Sequence, residues 1–231
     1  MSHNLELLLG VARKIRPLLP DFVFVGGAIV ELYFTDPVSE RVRPTSDLDA
    51  ICRVTSYTEY HRLGDRLREL SFRQSVRDAD PVYRWRSEGH VLDVMPTEAS
   101  ILGFSNPWYD VALDRKMPVE VAGELVVYVP EPPVYLASKL AAHADRGRED
   151  PSTSVDLEDA VALFSGRPEL AEEVQLFGGR LREWVGRHID ECFPPESTHE
   201  IVGSFLPEVR WTPAIRESVT DRIDRLRSSA G

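Results

Sequence analysis

The segment FVFVGGAIVELYF, residues 22–34, constrains the fold of this chain more than any other stretch. Four apolar residues suited to a buried strand end at Gly26 and Gly27, and helical spacing of apolar residues resumes from Ala28 to Phe34. The pattern predicts strand, tight turn, helix. Such a turn presents backbone N–H groups together with a helix N-terminus, and glycine lets another group approach the backbone closely, so it can cradle a phosphate. Taken alone, it is equally a plain strand-to-helix connection.

Three acidic residues give the turn its significance. Asp47 and Asp49 stand at i and i+2 at the start of an apolar run, LDAICRV (48–54), that reads as a strand. An extended backbone there points both side chains to one face, within about 6–7 Å of each other. Carboxylates so close do not both ionise comfortably without a cation beside them, and a hard divalent ion resolves the conflict. A DxD pair alone can also be a solvated turn or a helix cap. Asp93 is the third acid, set between Leu92 and Val94 in the strand-like run HVLDVMP, where burial without a partner is costly. Gly-Gly turn, DxD strand about 20 residues later and strand Asp about 45 residues further on together make a phosphoryl-transfer layout.

The rest of the chain supports an α+β domain followed by helices. Residues 4 to about 18 have helical periodicity closed by Pro17 and Pro20, residues 35–46 form a loop, and Tyr57–Ser71 reads as a second amphipathic helix. Arg73–Arg77, Tyr83–Arg86 and His90–Met95 read as short strands, and the weakly alternating stretch 98–130 closes in another, ELVVYVPEPP. Helical patterns then occupy 133–147, 155–164, 168–188 and 212–228. The expected organisation is a core at residues 1–130 and a helical domain at 131–231 that completes the active-site cleft. With 231 residues, 42% hydrophobic and 28% charged, the chain can bury sizeable cores. The net charge of -11 disfavours non-specific nucleic-acid binding but leaves room for a local basic groove. Two distant cysteines, no secretory pattern and no run near the ~18 apolar residues of a membrane span lead us to expect a cytoplasmic protein with no membrane partner.

The run FVFVGGAIVELYF…RVRPTSDLDAICRV…HVLDVMP resembles the nucleotidyltransferase superfamily related to DNA polymerase β, whose members use a G[GS] turn, a DxD and a later third Asp. Within it, the likeness is greatest to the AbiEii-type toxin nucleotidyltransferases, MenT proteins among them. It continues through YLASKLAAHADRGREDPSTSVDLEDAVALF, where that group has a Lys-bearing helix followed by an acidic one, and spans roughly residues 20–165. Many small members place the DxD about a dozen residues after the glycines; the longer interval here matches the toxin-like branch.

The resemblance implies a polymerase β-like core with a mixed sheet flanked by helices, then a helical C-terminal bundle. It implies that Gly26 and Gly27 hold a nucleoside triphosphate (NTP), that Asp47 and Asp49 bind Mg²⁺ or Mn²⁺, and that Asp93 shares a metal and deprotonates the acceptor hydroxyl. Lys139 would reach the triphosphate and Asp156 would support it. The implied acceptor is tRNA, and the implied role is the toxin of a toxin–antitoxin pair, with any antitoxin a separate chain. Read from residues alone, Lys139 can be an exposed helix lysine, although it is one of only three lysines (with Lys14 and Lys116) and lies between Leu136 and Leu140. Asp156 and Asp159 share a helix face, and either could simply meet the helix dipole.

Arg41 and Arg43 clamp phosphate or solvate a loop, and Arg84 with Arg86 puts two cations on one strand face for an anionic acceptor. Such a surface, joined by Arg146 and Arg148, is what an RNA substrate requires of so acidic a chain. His143 reads as a partly buried helix histidine, the aromatics of FSNPWYDVAL as core, and Phe177, Trp184 and Trp211 as anchors of a buttressing bundle. The competing functions are transfer to a small cationic molecule, as in aminoglycoside nucleotidyltransferases, which suits the negative charge; transfer to protein; and a nucleotide-binding module without turnover. Glycosyltransferases share DxD but give no reason for the Gly-Gly turn.

Overall fold

The structure, a computed structural model, describes residues 1–36, 42–75, 80–123, 125–146, 150–205 and 213–228, and its contacts divide the chain into two units. The first comprises Met1–Ile29 and Arg43–Glu131, the second Val30–Val42 and Pro132–Gly231.

The first unit begins with α1 (His3–Lys14), capped by Ser2, whose hydroxyl accepts from the Leu5 amide at 3.2 Å. Leu8, Leu9, Val11 and Ala12 bury one side of it. The periodicity up to residue 18 breaks at Pro17, and a 3-10 turn (Arg16–Asp21) leads into β1 (Phe22–Val25), all four of whose residues are buried. β2 (Leu48–Cys52), α2 (Tyr57–Glu69), β3 (Arg73–Gln74), β4 (Arg84–Ser87) and β5 (His90–Pro96) follow. The sheet order is β1-β2-β5-β4-β3, with β2 and β5 parallel and the other neighbours antiparallel, so the sheet is mixed. Of the expected strand 73–77, β3 holds two residues, and 76–77 lie outside the described residues. The weak alternation at 98–130 resolves into α3 (Ala99–Leu102), α4 (Tyr109–Asp114) and a hairpin of β6 (Lys116–Val121) and β7 (Leu125–Pro130). Lys116 Nζ donates to the Pro20 carbonyl at 2.7 Å.

The second unit is helical. α5 (Pro132–Asp145) is buried on nearly every side, as expected of a helix surrounded by others, and packs on α6 (Val155–Gly166), α7 (Leu170–Phe177) and α8 (Gly179–Cys192). α9 (Thr198–Ser204) and α10 (Pro213–Ser228) complete it. Where periodicity predicts one helix over 168–188, the chain breaks at Gly178 and Gly179, whose φ values of +67° and +54° favour glycine. Residues 30–36 are stitched to this unit. The amides of Thr35 and Asp36 donate to the Gly166 carbonyl at 2.8 and 3.0 Å, Arg167 donates to the Tyr33 carbonyl at 2.8 Å, and the Tyr33 ring meets Tyr135 at 5.0 Å. Among the described residues, no helix is long and apolar enough to cross a membrane.

Candidate active site

Strand register assembles the carboxylates. Val25 of β1 lies opposite Asp49 of β2, Asp49 opposite Asp93 of β5, and Asp93 opposite Arg84 of β4, so one row crosses four strands and directly opposed residues share a face. Asp47 stands in the bend just before β2 instead of within the strand. Its carboxylate nevertheless reaches the same guanidinium: Arg84 Nη2 donates to Asp47 Oδ2 at 2.6 Å and to Asp93 Oδ2 at 2.7 Å, while Arg84 Nε donates to Asp93 Oδ1 at 2.8 Å.

The approach to Asp47 is fixed by α1. The buried Asn4 amide works like a neighbouring strand: its Oδ1 accepts from the Thr45 amide and its Nδ2 donates to the Arg43 carbonyl, both at 3.0 Å. His3 Nε2 meets the Thr45 carbonyl at 3.0 Å, and the Thr45 hydroxyl donates to the carbonyl of Asp47 at 3.1 Å. The glycine turn lies against the second aspartate. A Cβ built on Gly26 would stand 2.0 Å from Asp49 Oδ2, and Gly26 has φ +77°, so space and backbone both require glycine. The helix expected after the turn is a 3-10 helix, Gly27–Tyr33, too short for an N-terminal anion site. Any phosphate cradle here rests on the glycine amides themselves.

Burial makes the charge balance decisive. The Asp93 side chain is 6% exposed and Arg84 20%, so the bidentate pair is needed to offset desolvation. The hydrogen bond to Asp93, then the attraction of Asp93, Asp47 and Asp80, hold Arg84 charged well above the ordinary arginine range. Asp80 Oδ1 lies 3.7 Å from Arg84 Nη1. Asp80 is itself fixed by the Ser75 hydroxyl at 2.5 Å and by Arg86 Nε and Nη2 at 3.0 and 2.8 Å. The Ser75 hydrogen bond first, and Arg86 with it, keep its carboxyl below the usual range.

No group of three or more His, Cys, Asp or Glu side chains is arranged to hold a metal ion among the described residues. The donor set still suits a hard divalent cation: all donors are carboxylate oxygens, and one oxygen each from Asp47 and Asp93 already converges on a single nitrogen. What stands at that convergence is Arg84.

In the second unit, Lys139 is buried, not exposed, and its ammonium donates to Asp159 Oδ2 at 2.5 Å and Asp156 Oδ1 at 3.3 Å. Arg146 pairs with the other Asp156 oxygen at 2.9 Å. Asp159, which the resemblance did not single out, thus makes the shorter contact. His143 is buried with Nδ1 2.8 Å from the Ser154 hydroxyl. Trp184 stacks on His188 at 3.9 Å, Trp108 is core, and Phe104 lies edge-on to Tyr83 at 5.4 Å. Arg41, Arg148 and Trp211 lie outside the described residues. The sequence alone identified neither Asp80 nor Asn4.

A solved structure similar to this chain is that of an antigenic nucleotidyltransferase-like protein from Paracoccidioides brasiliensis, with a TM-score of 0.51 and 17% identity, covering 87% of this chain and 93% of that one. At that identity the likeness speaks for the fold: the chain has a nucleotidyltransferase-like fold. No protein-family model and no curated protein matches the sequence.

Proposed function

We propose that this chain is a nucleotidyltransferase that moves a nucleoside monophosphate from an NTP to an acceptor hydroxyl. The observation that carries the reading is the single row Asp49–Asp93 with Asp47 beside it and the Gly26 turn pressed against Asp49. Asp47, Asp49 and Asp93 would hold Mg²⁺ or Mn²⁺, which, when bound, neutralises phosphate charge and stabilises the entering and leaving oxygens. The amides of Gly26 and Gly27 bind and orient the triphosphate. Asp93 accepts the proton of the acceptor hydroxyl as the acceptor oxygen bonds to the α-phosphorus. The bond from that phosphorus to the bridging oxygen breaks, and pyrophosphate leaves with the electron pair. Holding the two reactants in line supplies much of the acceleration. The proposal keeps Lys139 as a contact for nucleotide phosphate and Asp156 as its support.

The finer reading, tRNA as acceptor and a toxin role with a separate antitoxin, rests on the sequence resemblance. Arg84, Arg86 and Arg73 lie close together on neighbouring strands, but carboxylates already hold two of them, Arg84 by Asp93 and Asp47 and Arg86 by Asp80, so the strand arginines add little to the case for an anionic acceptor. The test is label transfer from each α-labelled NTP, with Mg²⁺, to total tRNA, to an aminoglycoside set or to protein. The Asp47→Ala/Asp49→Ala variant is expected to lose at least about 10²–10³-fold in rate. Label on a small molecule would replace the tRNA reading. Absence of both transfer and NTP binding would sink the enzyme reading.

A further inference from the structure

We propose that Arg84 is an exchangeable counter-ion: its guanidinium and a divalent cation compete for Asp93 and Asp47, and when the cation takes those oxygens the guanidinium moves onto Asp80. The inference rests on the metal-dependent reading above and concerns what this chain's own arginine does in response.

The geometry demands an exchange. Both Asp93 oxygens accept from Arg84, and the Asp47 oxygen nearest them accepts from the same Nη2. The fork commits the lone pairs of both Asp93 oxygens on the side that Arg84 faces, so a cation approaching from that side meets the guanidinium first. Adding a dication to the same oxygens while the guanidinium stayed would set like charges side by side in a poorly solvated place. Arg84 cannot leave by a shift of its strand, because β4 and β5 are paired from Ser87–His90 out to Arg84–Asp93. Only its long side chain can move.

A destination is already built. Asp80 lies within ion-pair range of Arg84 Nη1 at 3.7 Å, a different nitrogen from Nη2, from which Asp93 Oδ2 and Asp47 Oδ2 both accept. Two partners hold its carboxylate in place through Oδ2, Ser75 at 2.5 Å and Arg86 at 2.8 Å. The contact now made to Arg84 uses the other oxygen, Oδ1. A rotation of the guanidinium trades three short hydrogen bonds to Asp93 and Asp47 for a pair with that oxygen, and the half-buried arginine is never left without a carboxylate. Movement between two partnered positions avoids the cost of stranding a buried charge.

Mn²⁺ binding to the full chain, without nucleotide and followed by the paramagnetic signal of the free ion, tests this. Arg84→Gln removes the competitor and is expected to bind Mn²⁺ at least about tenfold tighter than wild type, a change of about 1.4 kcal/mol. Asp80→Asn removes the receiving carboxylate and is expected to weaken binding in wild type while leaving the Arg84→Gln background unchanged, a coupling that simple loss of a nearby charge would not produce. In chelator, Arg84→Gln melts below wild type, and Mn²⁺ restores it. Should the glutamine variant fail to fold, Arg84→Lys keeps the charge without the fork and is expected to show intermediate tightening. Equal or weaker Mn²⁺ binding by Arg84→Gln, with binding abolished in Asp47→Asn/Asp49→Asn, overturns the exchange and leaves the metal reading standing. An equal effect of Asp80→Asn in both backgrounds overturns the role of Asp80. Absence of Mn²⁺ binding in wild type and Arg84→Gln alike overturns the metal reading and the exchange together.

Discussion

Two single residues carry the most consequence. Gly26 is required twice, by its φ of +77° and by the Asp49 carboxylate that occupies the place of its missing side chain. Gly89 has nearly the same backbone, φ +69°, but open space around it. Gly89→Ala should therefore cost the left-handed strain alone, about 1–2 kcal/mol, and keep transfer. Gly26→Ala should cost more and lose transfer as Asp49 is pushed from the row. Melting curves and label transfer on the pair decide it, and equal behaviour would remove the Asp49 contact from the account. Lys139 is the second case. It neutralises two carboxylates, Asp156 and Asp159, that are 3% and 2% exposed. Lys139→Met would strand them, and a loss of about 3–5 kcal/mol is expected in denaturant unfolding. A loss below 1 kcal/mol would mean that Arg146 and solvent suffice for both acids.

Among the elements, α1 does more than cover the sheet. Through Asn4 its first turn supplies the hydrogen bonds that the segment before Asp47 would otherwise take from a strand. Asn4→Ala leaves a buried amide and a carbonyl unpaired, at about 1–3 kcal/mol. Hydrogen exchange reads the effect: the Thr45 amide should lose protection while the amides of β2 keep theirs. Loss across β2 as well would make Asn4 a support of the whole sheet. This contact was invisible in the sequence because it joins residues about forty positions apart, and nothing local marks a buried asparagine in a helix. The Gly-Gly turn, Asp49 of β2 and Asp93 of β5 were legible as elements because strand alternation and glycine chemistry are local signals, whereas Asp47 stands in the bend before the strand that alternation would extend to it. The partner of Asp93 was legible in principle. A two-residue Glu88–Gly89 turn pairs Ser87 with His90, and counting outward sets Arg84 against Asp93. Elsewhere local signals misled: periodicity runs through Gly178–Gly179 because neighbouring apolar residues stay in phase, and the 3-10 geometry after Gly27 has nearly the spacing of an α-helix.

At the scale of the whole molecule, the chain passes between its two units three times, since Val30–Val42 belongs with Pro132–Gly231 and not with the residues on either side of it. A cut after Glu131 would therefore not release an intact first unit. In a fragment of residues 1–131, Tyr33 loses Tyr135, Phe34 loses Gly166, and the Thr35 and Asp36 amides and the Tyr33 carbonyl lose their partners on Gly166 and Arg167. Each large apolar side chain so exposed costs about 1.5–3 kcal/mol, and a segment that cannot bury them presents a sticky surface. The fragment is expected to aggregate or unfold without cooperativity when expressed alone. Residues 132–231 supplied as a second chain should rescue it, because they bring back Tyr135, Gly166 and Arg167, and the two pieces should then purify as a complex. Analytical ultracentrifugation and thermal melting of the fragment with and without its complement make the measurement. A fragment that is monomeric and melts cooperatively by itself would show that residues 30–42 are not committed to the helical unit, and that the first unit tolerates them as a loop.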